Sequence, residues 1–163
     1  GKSTTSVRSA DLRSAIEHAI DANYVDRDSP RFHFVRRAQI DPRLLEDLSA
    51  LRGERFTDLN TDTSERIVFE RDSNAAVTVR MSFLGPFAVL TKTDSGRTSL
   101  VEMFDDAFAR RLRDLLEAHG YKFVPRFVLE STTHLRLSSA SASGESAIFH
   151  ALFEDTEVLP WRG

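Results

Sequence analysis

Residues 77–83 alternate strictly between apolar and polar side chains. The apolar members are Val77, Val79, Met81 and Phe83. The polar members are Thr78, Arg80 and Ser82. A period of two is that of a β-strand, whose successive side chains point to opposite faces of the sheet. The segment therefore predicts a strand with one buried face and one polar face, so the fold must contain a sheet.

The neighbouring segments extend this strand into a meander. Ile67 and Phe69 stand two residues apart in a second alternating segment, and the turn formers at 72–74 separate it from 77–83. This arrangement predicts an antiparallel hairpin. A third strand over 87–91 follows Gly85-Pro86 and ends at the turn residues 94–96.

Three helices are predicted from apolar residues spaced three and four apart. The first begins at a cap, Ser9 or Asp11, and extends to Tyr24, and the second begins at Asp41-Pro42 and ends at Gly53. The third covers about residues 100–119. We expect it to begin at a capping box formed by Ser99 and Glu102 and to end at Gly120. Its apolar stripe would pack on the apolar face of strand 77–83, and the stripe consists of Phe104, Phe108, Leu112 and Leu115.

The C-terminal part of the chain has weaker patterns. Phe123, Phe127 and Leu129 predict a strand, at an edge or bulged because Pro125 has no N–H to donate. Leu135 and Leu137 alternate in the same way, and the Ser/Ala/Gly-rich stretch 138–146 predicts a flexible loop. Residues 147–153 fit a helix or a strand, and we favour a strand because it would close a hairpin with the preceding one.

Length and composition predict a single α+β domain over residues 1–163, with a predominantly antiparallel sheet, two N-terminal helices and the third helix on one sheet face. Cysteine is absent, which excludes disulfides and thiolate metal sites. No apolar stretch approaches the ~20 residues that span a bilayer. We therefore expect a soluble, cytoplasmic protein without a membrane partner. The start at Gly1 leaves a removed leader open, and the oligomeric state is not determined by the sequence.

Glu130 and His134 are the candidate catalytic residues, with His150 and Asp155 as possible additions. A carboxylate beside an imidazole orients the ring and raises its basicity, which a small hydrolase-type enzyme would use for general-base catalysis. The pair also fits surface residues at a hairpin end. The histidines lack the spacing of a metal-ligand motif, and we expect no metal and no cofactor.

A basic and aromatic segment over 31–37 contains the candidate binding residues Arg31, His33 and Arg37. Cations interleaved with aromatic rings are typical of surfaces that stack on single-stranded nucleic acid and contact its phosphates. In a strand, however, Phe32 and Phe34 would share one face and the cations the other. This separation favours an ordinary strand with a basic outer face.

The polar residues of the central strand supply the remaining candidate binding site. Thr78, Arg80 and Ser82 would share the sheet face that the third helix leaves uncovered, and an uncovered polar face offers a docking surface. The absence of a catalytic motif favours a non-catalytic protein-binding module of the adaptor, secretion-chaperone or toxin-neutralising type, with another protein as partner. The hydrolase is the first alternative, and the single-stranded nucleic-acid binder is the second.

Overall fold

A meander of antiparallel strands forms the centre of the molecule. The computed structural model describes residues 2–24, 40–57, 62–133, 135, 137, 146–156 and 158–162, with the backbone alone over 2–10. Within these ranges the strands are β1 (Glu54–Arg55), β2 (Ser64–Asp72), β3 (Ala75–Ser82), β4 (Phe87–Asp94), β5 (Arg97–Leu100) and β6 (Lys122–Phe123). Strands β1 to β5 lie in sequence order, and β6 pairs with β4.

Helices cover both faces of this sheet. Those described are α1 (Lys2–Asn23), α2 (Pro42–Ala50), α3 (Ala107–Ala118), α4 (Arg126–Leu129) and α5 (Ile148–Leu152), followed by a 3-10 helix at Pro160–Arg162. The chain is thus an α+β protein with a mostly antiparallel sheet and two N-terminal helices, as the sequence predicts. The described part of the chain has one parallel strand pair, β4 with β6.

The pairing register keeps the apolar residues of neighbouring strands on the same face. Ile67 of β2 lies opposite Val79 of β3, and Val79 lies opposite Leu90 of β4. The predicted hairpin between the segments around 67–69 and 77–83 is therefore confirmed. At the β4–β5 turn, Ser95 and Gly96 both have positive φ, 51° and 82°, as the tightest hairpin turns require.

Helices α2 and α3 pack on the first face of the sheet. The Asp41 carboxylate accepts a hydrogen bond from the Arg43 N–H at 2.9 Å and caps α2 as predicted. The docking of the third predicted helix on the apolar face of β3 is confirmed. The buried core on this face consists of Ile40, Leu44, Leu48, Ile67, Phe69, Val77, Val79, Met81, Ala88, Leu90, Ala109, Leu112 and Leu116. Phe83, Phe104, Phe108 and Leu115 pack against it partly exposed.

The predicted start of the third helix is wrong. Ser99 lies in β5 opposite Lys92, so it does not cap a helix. Helix α3 begins at Ala107, where the Asp106 carboxylate accepts a hydrogen bond from the Ala109 N–H at 3.0 Å. Residues 97–100 form strand β5 and pair with β4, and the segment 101–106 connects the sheet to the helix.

Helices α1, α4 and α5 and the C-terminal segment cover the second face of the sheet. Its buried core consists of Ile16, Ile20, Tyr24, Leu84, Phe87, Val89, Leu100, Val124, Val128, Leu129, Leu135, Leu137, Ile148, Phe149, Ala151, Leu152, Phe153 and Leu159. The expectation that this face is uncovered is therefore wrong. The sheet is the middle layer of three, with a separate apolar core on each side.

Three other predicted elements are corrected. Residues 123–129 do not form one strand, because β6 ends at Phe123 and Arg126–Leu129 form a helix that begins after Pro125. Residues 148–152 form helix α5, so the favoured strand over 147–153 is wrong. Helix α1 begins at Lys2, well before the predicted caps. The predicted strand at 31–35 and, except for the buried Ser146, the predicted loop over 138–146 lie outside the described residues.

Candidate functional site

The polar residues of β3 face an internal interface. Arg80 is 7% exposed and Ser82 is 3% exposed, while Thr78 is half-buried. The Ser82 hydroxyl donates a hydrogen bond to the Leu152 carbonyl at 2.8 Å, and it accepts one from the Leu84 N–H at 3.1 Å. Ser82 thus holds the end of α5 against the sheet and is not available to a second molecule.

Other hydroxyl groups bind the same end of α5. The Tyr24 and Thr63 hydroxyls donate to the Ala151 carbonyl at 2.6 and 3.1 Å, and the Ser64 hydroxyl donates to the Phe153 carbonyl at 2.8 Å. These donors satisfy carbonyls that the end of a helix leaves without intrahelical partners. Burial raises the pKa of Tyr24, so its hydroxyl keeps the proton that it donates.

Arg80 lies in a buried network of charges beside this helix end. Its Nη2 is 3.4 Å from Glu154 Oε2, and its Nη1 donates to the Thr91 hydroxyl at 3.1 Å. Burial lowers the pKa of Arg80, and the Glu154 carboxylate opposes that shift. Arg66 reaches both Glu154 at 3.6 Å and Asp62 at 3.7 Å. The network links β2, β3 and β4 to the segment that follows α5.

The candidate catalytic residue Glu130 is held by the C-terminal 3-10 helix. Its carboxylate accepts hydrogen bonds from Trp161 Nε1 at 2.9 Å and from Arg162 Nη2 at 3.0 Å. Arg126 lies 3.6 Å away. The Trp161 hydrogen bond, followed by the charges of Arg162 and Arg126, lowers the pKa of Glu130. Its proposed partner His134 lies outside the described residues, so the pair stays a prediction.

The structure also locates the remaining candidates. His150 is 4% exposed and its Nδ1 lies 2.9 Å from the Glu154 carbonyl oxygen, with burial lowering the pKa of the ring. Asp155 is buried as well. The nucleic-acid candidates Arg31, His33 and Arg37 lie outside the described residues.

An open cleft of about 690 Å³ lies on the first face of the sheet. Helix α3 leaves the far ends of β2 to β5 uncovered, and these strands form the floor. The segment 101–106 and the start of α3 form the wall. We call this cavity the acidic cleft, and its charged lining consists of Arg71, Asp72, Lys92, Asp94, Glu102, Asp105 and Asp106.

Five carboxylates and two cations give the acidic cleft an excess of negative charge. The Arg71 guanidinium stacks 3.8 Å from the centre of the Phe108 ring, which fixes it at one side. Glu102 pairs with Arg126 at 3.2 Å, and Asp106 caps α3. Within the described part of the chain, no side chain pairs with the Asp105 carboxylate.

A smaller apolar depression of about 200 Å³ adjoins the acidic cleft. The two share Leu100, Val101 and Glu102, and the depression adds Phe104, Phe123, Val124 and Pro125. Met103 lies between these shared residues and Phe104 in the chain, lines the cleft, and is 78% exposed. Sequence reasoning missed this region because it assigned residues 100–106 to a helix, although the run Glu102-Met103-Phe104-Asp105-Asp106 combines the acidic and apolar residues.

A third cavity, of about 400 Å³, lies beside the bend at Gly85-Pro86. His119 lines it and bridges two carboxylates of the α2 region, with Nδ1 3.3 Å from Asp41 and Nε2 3.8 Å from Asp47. Burial and then the charge of Asp41 raise the pKa of Tyr121, which also lines this cavity. The cluster ties α2 to the end of α3.

No group of three or more His, Asp or Glu residues in the described ranges could hold a metal ion. Across the same residues, no helix is long and apolar enough to cross a membrane. Comparison with protein-family models, curated proteins and solved structures finds no match for this chain.

Proposed function

We propose that this chain is a non-catalytic protein-binding module that holds a basic segment of another protein in the acidic cleft. The observation that carries the proposal is the lining of the cleft, which contains five carboxylates, two cations and the exposed Met103. Its volume of about 690 Å³ lies within the range of about 300–1,000 Å³ that is common for binding sites. An exposed methionine is a side chain that adapts to varied apolar partners.

The charge of the acidic cleft favours cationic partners over anionic ones. Asp94 and Asp105 lie at its surface, where carboxylates attract approaching Lys or Arg side chains and repel Asp and Glu. Because these groups are exposed, we expect each to contribute modestly and in a salt-dependent way. Glu102 and Asp106 contribute less because other groups of the chain already engage them.

The polar face of β3, the first candidate docking surface, no longer supports this function. The C-terminal segment occupies it, and Arg80 and Ser82 bind that segment. The protein-binding proposal therefore moves to the opposite face of the sheet.

No observation favours the two alternatives. Glu130 lines none of the three described cavities, and its carboxylate is engaged by Trp161 and Arg162. The acidic cleft has no histidine in its lining and would repel phosphate groups. The hydrolase and the nucleic-acid binder stay predictions that depend on residues outside the described ranges.

Amide chemical-shift mapping tests the proposal. The isotope-labelled chain is titrated with a Lys-rich peptide that contains one leucine, and then with the same peptide in which Glu replaces every Lys. We expect shifts from the Lys peptide at residues 71–77 and 92–106, weakening as salt rises, and no saturable shifts from the Glu peptide.

Charge reversal in the acidic cleft, compared with a matched control outside it, tests which residues bind the peptide. The double variant Asp94→Lys, Asp105→Lys should weaken binding of the Lys peptide about tenfold, as expected if each carboxylate contributes somewhat under 1 kcal/mol. The double variant Glu46→Lys, Glu117→Lys makes the same change in net charge at exposed positions of α2 and α3 that do not line the cleft, and it should leave the affinity within about twofold. Equal binding of both peptides, or shifts centred elsewhere, would contradict the proposal.

A further inference from the structure

We infer that the apolar depression beside the acidic cleft is an anchor pocket, which selects partner segments that carry one large apolar side chain next to a Lys or Arg. This inference rests on the proposed function, because it assumes that a basic segment occupies the cleft. It adds the second element of recognition, which decides between one basic segment and another.

The size of the depression suits a single side chain. Its volume of about 200 Å³ is below the range of about 300–1,000 Å³ that accommodates drug-sized ligands. Leu100, Val101, Phe104, Phe123, Val124 and Pro125 give it an apolar lining. Burying one Leu or Phe side chain in such a lining yields about 1.5–3 kcal/mol, before the cost of ordering the segment is subtracted.

The aromatic walls of the depression are held in place by other parts of the fold. The Phe104 and Phe123 rings meet edge to face, with centroids 5.2 Å apart and an interplanar angle of 72°. The Arg113 guanidinium of α3 lies 5.1 Å from the centre of the Phe104 ring. The depression is therefore formed before a partner arrives, and preorganised walls reduce the entropy lost on binding. Their ring edges and faces favour an incoming aromatic or aliphatic side chain.

The wall between the depression and the acidic cleft sets the spacing between the apolar anchor and the first cation of the partner segment. Glu102 lines both cavities, and its carboxylate pairs with the partly exposed Arg126 at 3.2 Å. A segment whose apolar side chain enters the depression must cross this wall to reach Asp94 and Asp105. Since an extended chain advances about 3.3–3.6 Å per residue, the first cation should follow the anchor within a few residues.

A peptide rather than a lipid fits this arrangement. An acyl chain needs apolar surface along its length, whereas the depression gives way at Glu102 to a cleft lined by carboxylates. Anionic headgroups would be repelled there. A chain that alternates an apolar anchor with cations matches both cavities in turn.

Fluorescence anisotropy with two labelled peptides of equal charge tests the inference. One peptide carries a single Phe beside its Lys residues, and the other has Ala in place of that Phe. We expect the Phe peptide to bind about tenfold more tightly to the unaltered chain, because burial of its ring contributes more than the cost of ordering that side chain.

A pocket-filling variant locates the difference. Val101→Phe should place extra bulk at the shared wall and bring the two peptides to equal affinity. The control, Val158→Phe, alters an exposed valine that lines neither cavity, and it should preserve the tenfold preference. If Val101→Phe fails to fold, amide shifts locate the anchor instead: the Phe peptide should shift residues 100–104 and 123–125 of the unaltered chain more than the Ala peptide does, and equal shifts there would overturn the inference.

The outcomes separate this inference from the proposed function. Equal binding of both peptides, with the cleft residues still shifting, overturns the anchor pocket and leaves the proposed function standing. Absence of binding by either peptide overturns both. A Phe preference that survives Val101→Phe places the anchor elsewhere and overturns the inference.

Discussion

Removing the charge of Glu154 should destabilise the fold strongly, because Arg80 would be left as a buried cation. Arg80 and Glu154 have side chains only 9% and 14% exposed, and their charged atoms are 3.4 Å apart. Glu154→Gln keeps the size of the side chain and removes its charge. The guanidinium would then depend on the Thr91 hydroxyl and on the more distant Asp62.

The expected loss follows from the distance. Two unit charges 3.4 Å apart attract by about 5 kcal/mol at an effective dielectric constant of about 20. The amide dipole of glutamine and water entering at the exposed edge of residue 154 recover part of this energy. We therefore expect a loss of about 3 kcal/mol in the free energy of unfolding, at the lower end of the range of about 3–5 kcal/mol for broken buried pairs.

Denaturant unfolding monitored by circular dichroism and by Trp161 fluorescence measures the loss. Glu65→Gln is the matched control, since its partner Arg55 has a side chain 61% exposed to solvent. We expect this control to lose about 1 kcal/mol or less. The double variant Arg80→Met, Glu154→Leu should recover much of the stability, because replacing both charges leaves no unpaired cation.

A change of less than about 0.5 kcal/mol in Glu154→Gln would refute this reasoning. It would mean that solvent reaches the guanidinium or that Asp62 compensates fully. The Arg80 guanidinium carbon lies 5.8 Å from the centre of the Phe149 ring. A double variant less stable than Glu154→Gln would show that Arg80 stabilises the fold more through packing on this ring than through its ion pair.

Two further perturbations probe the same interface. Ser82→Ala should lower the free energy of unfolding by about 2 kcal/mol, measured by denaturant unfolding, because the buried Leu152 carbonyl loses its donor. The control Ser49→Ala, on the exposed side of α2, should change that free energy by no more than about 0.5 kcal/mol. Equal effects of the two variants would contradict the role of Ser82. Burial lowers the pKa of His150 below its ordinary 6.5, and Glu154 and Asp155 oppose this shift. Below pH 6.5 the unfolded chain therefore binds more protons at this residue than the folded chain does. The free energy of unfolding should therefore fall as pH drops below about 6.5, and the fall should be smaller in His150→Gln; identical pH profiles would contradict this.

The sequence predicts those elements whose signals are local. Asp41 caps α2 through the backbone of Arg43, two residues away, and Pro42 fits the first turn without needing its missing N–H. Strand β3 follows from alternation alone. In these segments the short-range pattern and the tertiary structure agree, which is the condition under which sequence reasoning succeeds.

The errors arise where distant residues decide. Ser99 and Glu102 have the spacing of a capping box, yet pairing with Lys92 places Ser99 in a strand. Residues 147–153 fit two periods, and hydroxyl groups of Thr63 and Ser82, at least 70 residues away, bind the carbonyls of the helical form. No pattern within either segment contains this information.

In the candidate site, too, the local pattern predicts some features and distant residues decide the others. Alternation places Arg80 and Ser82 on one face of β3 but does not reveal that the C-terminal segment covers this face. The acidic cleft exists because α3 starts at Ala107 and leaves the strand ends bare, so a shift in the predicted helix start was enough to hide it.

The hydrogen bond from Tyr24 to the Ala151 carbonyl has a consequence for synthesis of the chain. Its two residues are 127 positions apart, and the ribosome adds roughly 5–20 residues per second. Helix α1 therefore waits roughly 6–25 seconds after its own translation before α5 exists to receive it. During that interval Ile16 and Ile20 lack the α5 residues of the same buried core, which are Ile148, Phe149, Ala151 and Leu152. The nascent chain thus keeps these apolar residues of α1 without their α5 partners until translation passes residue 153.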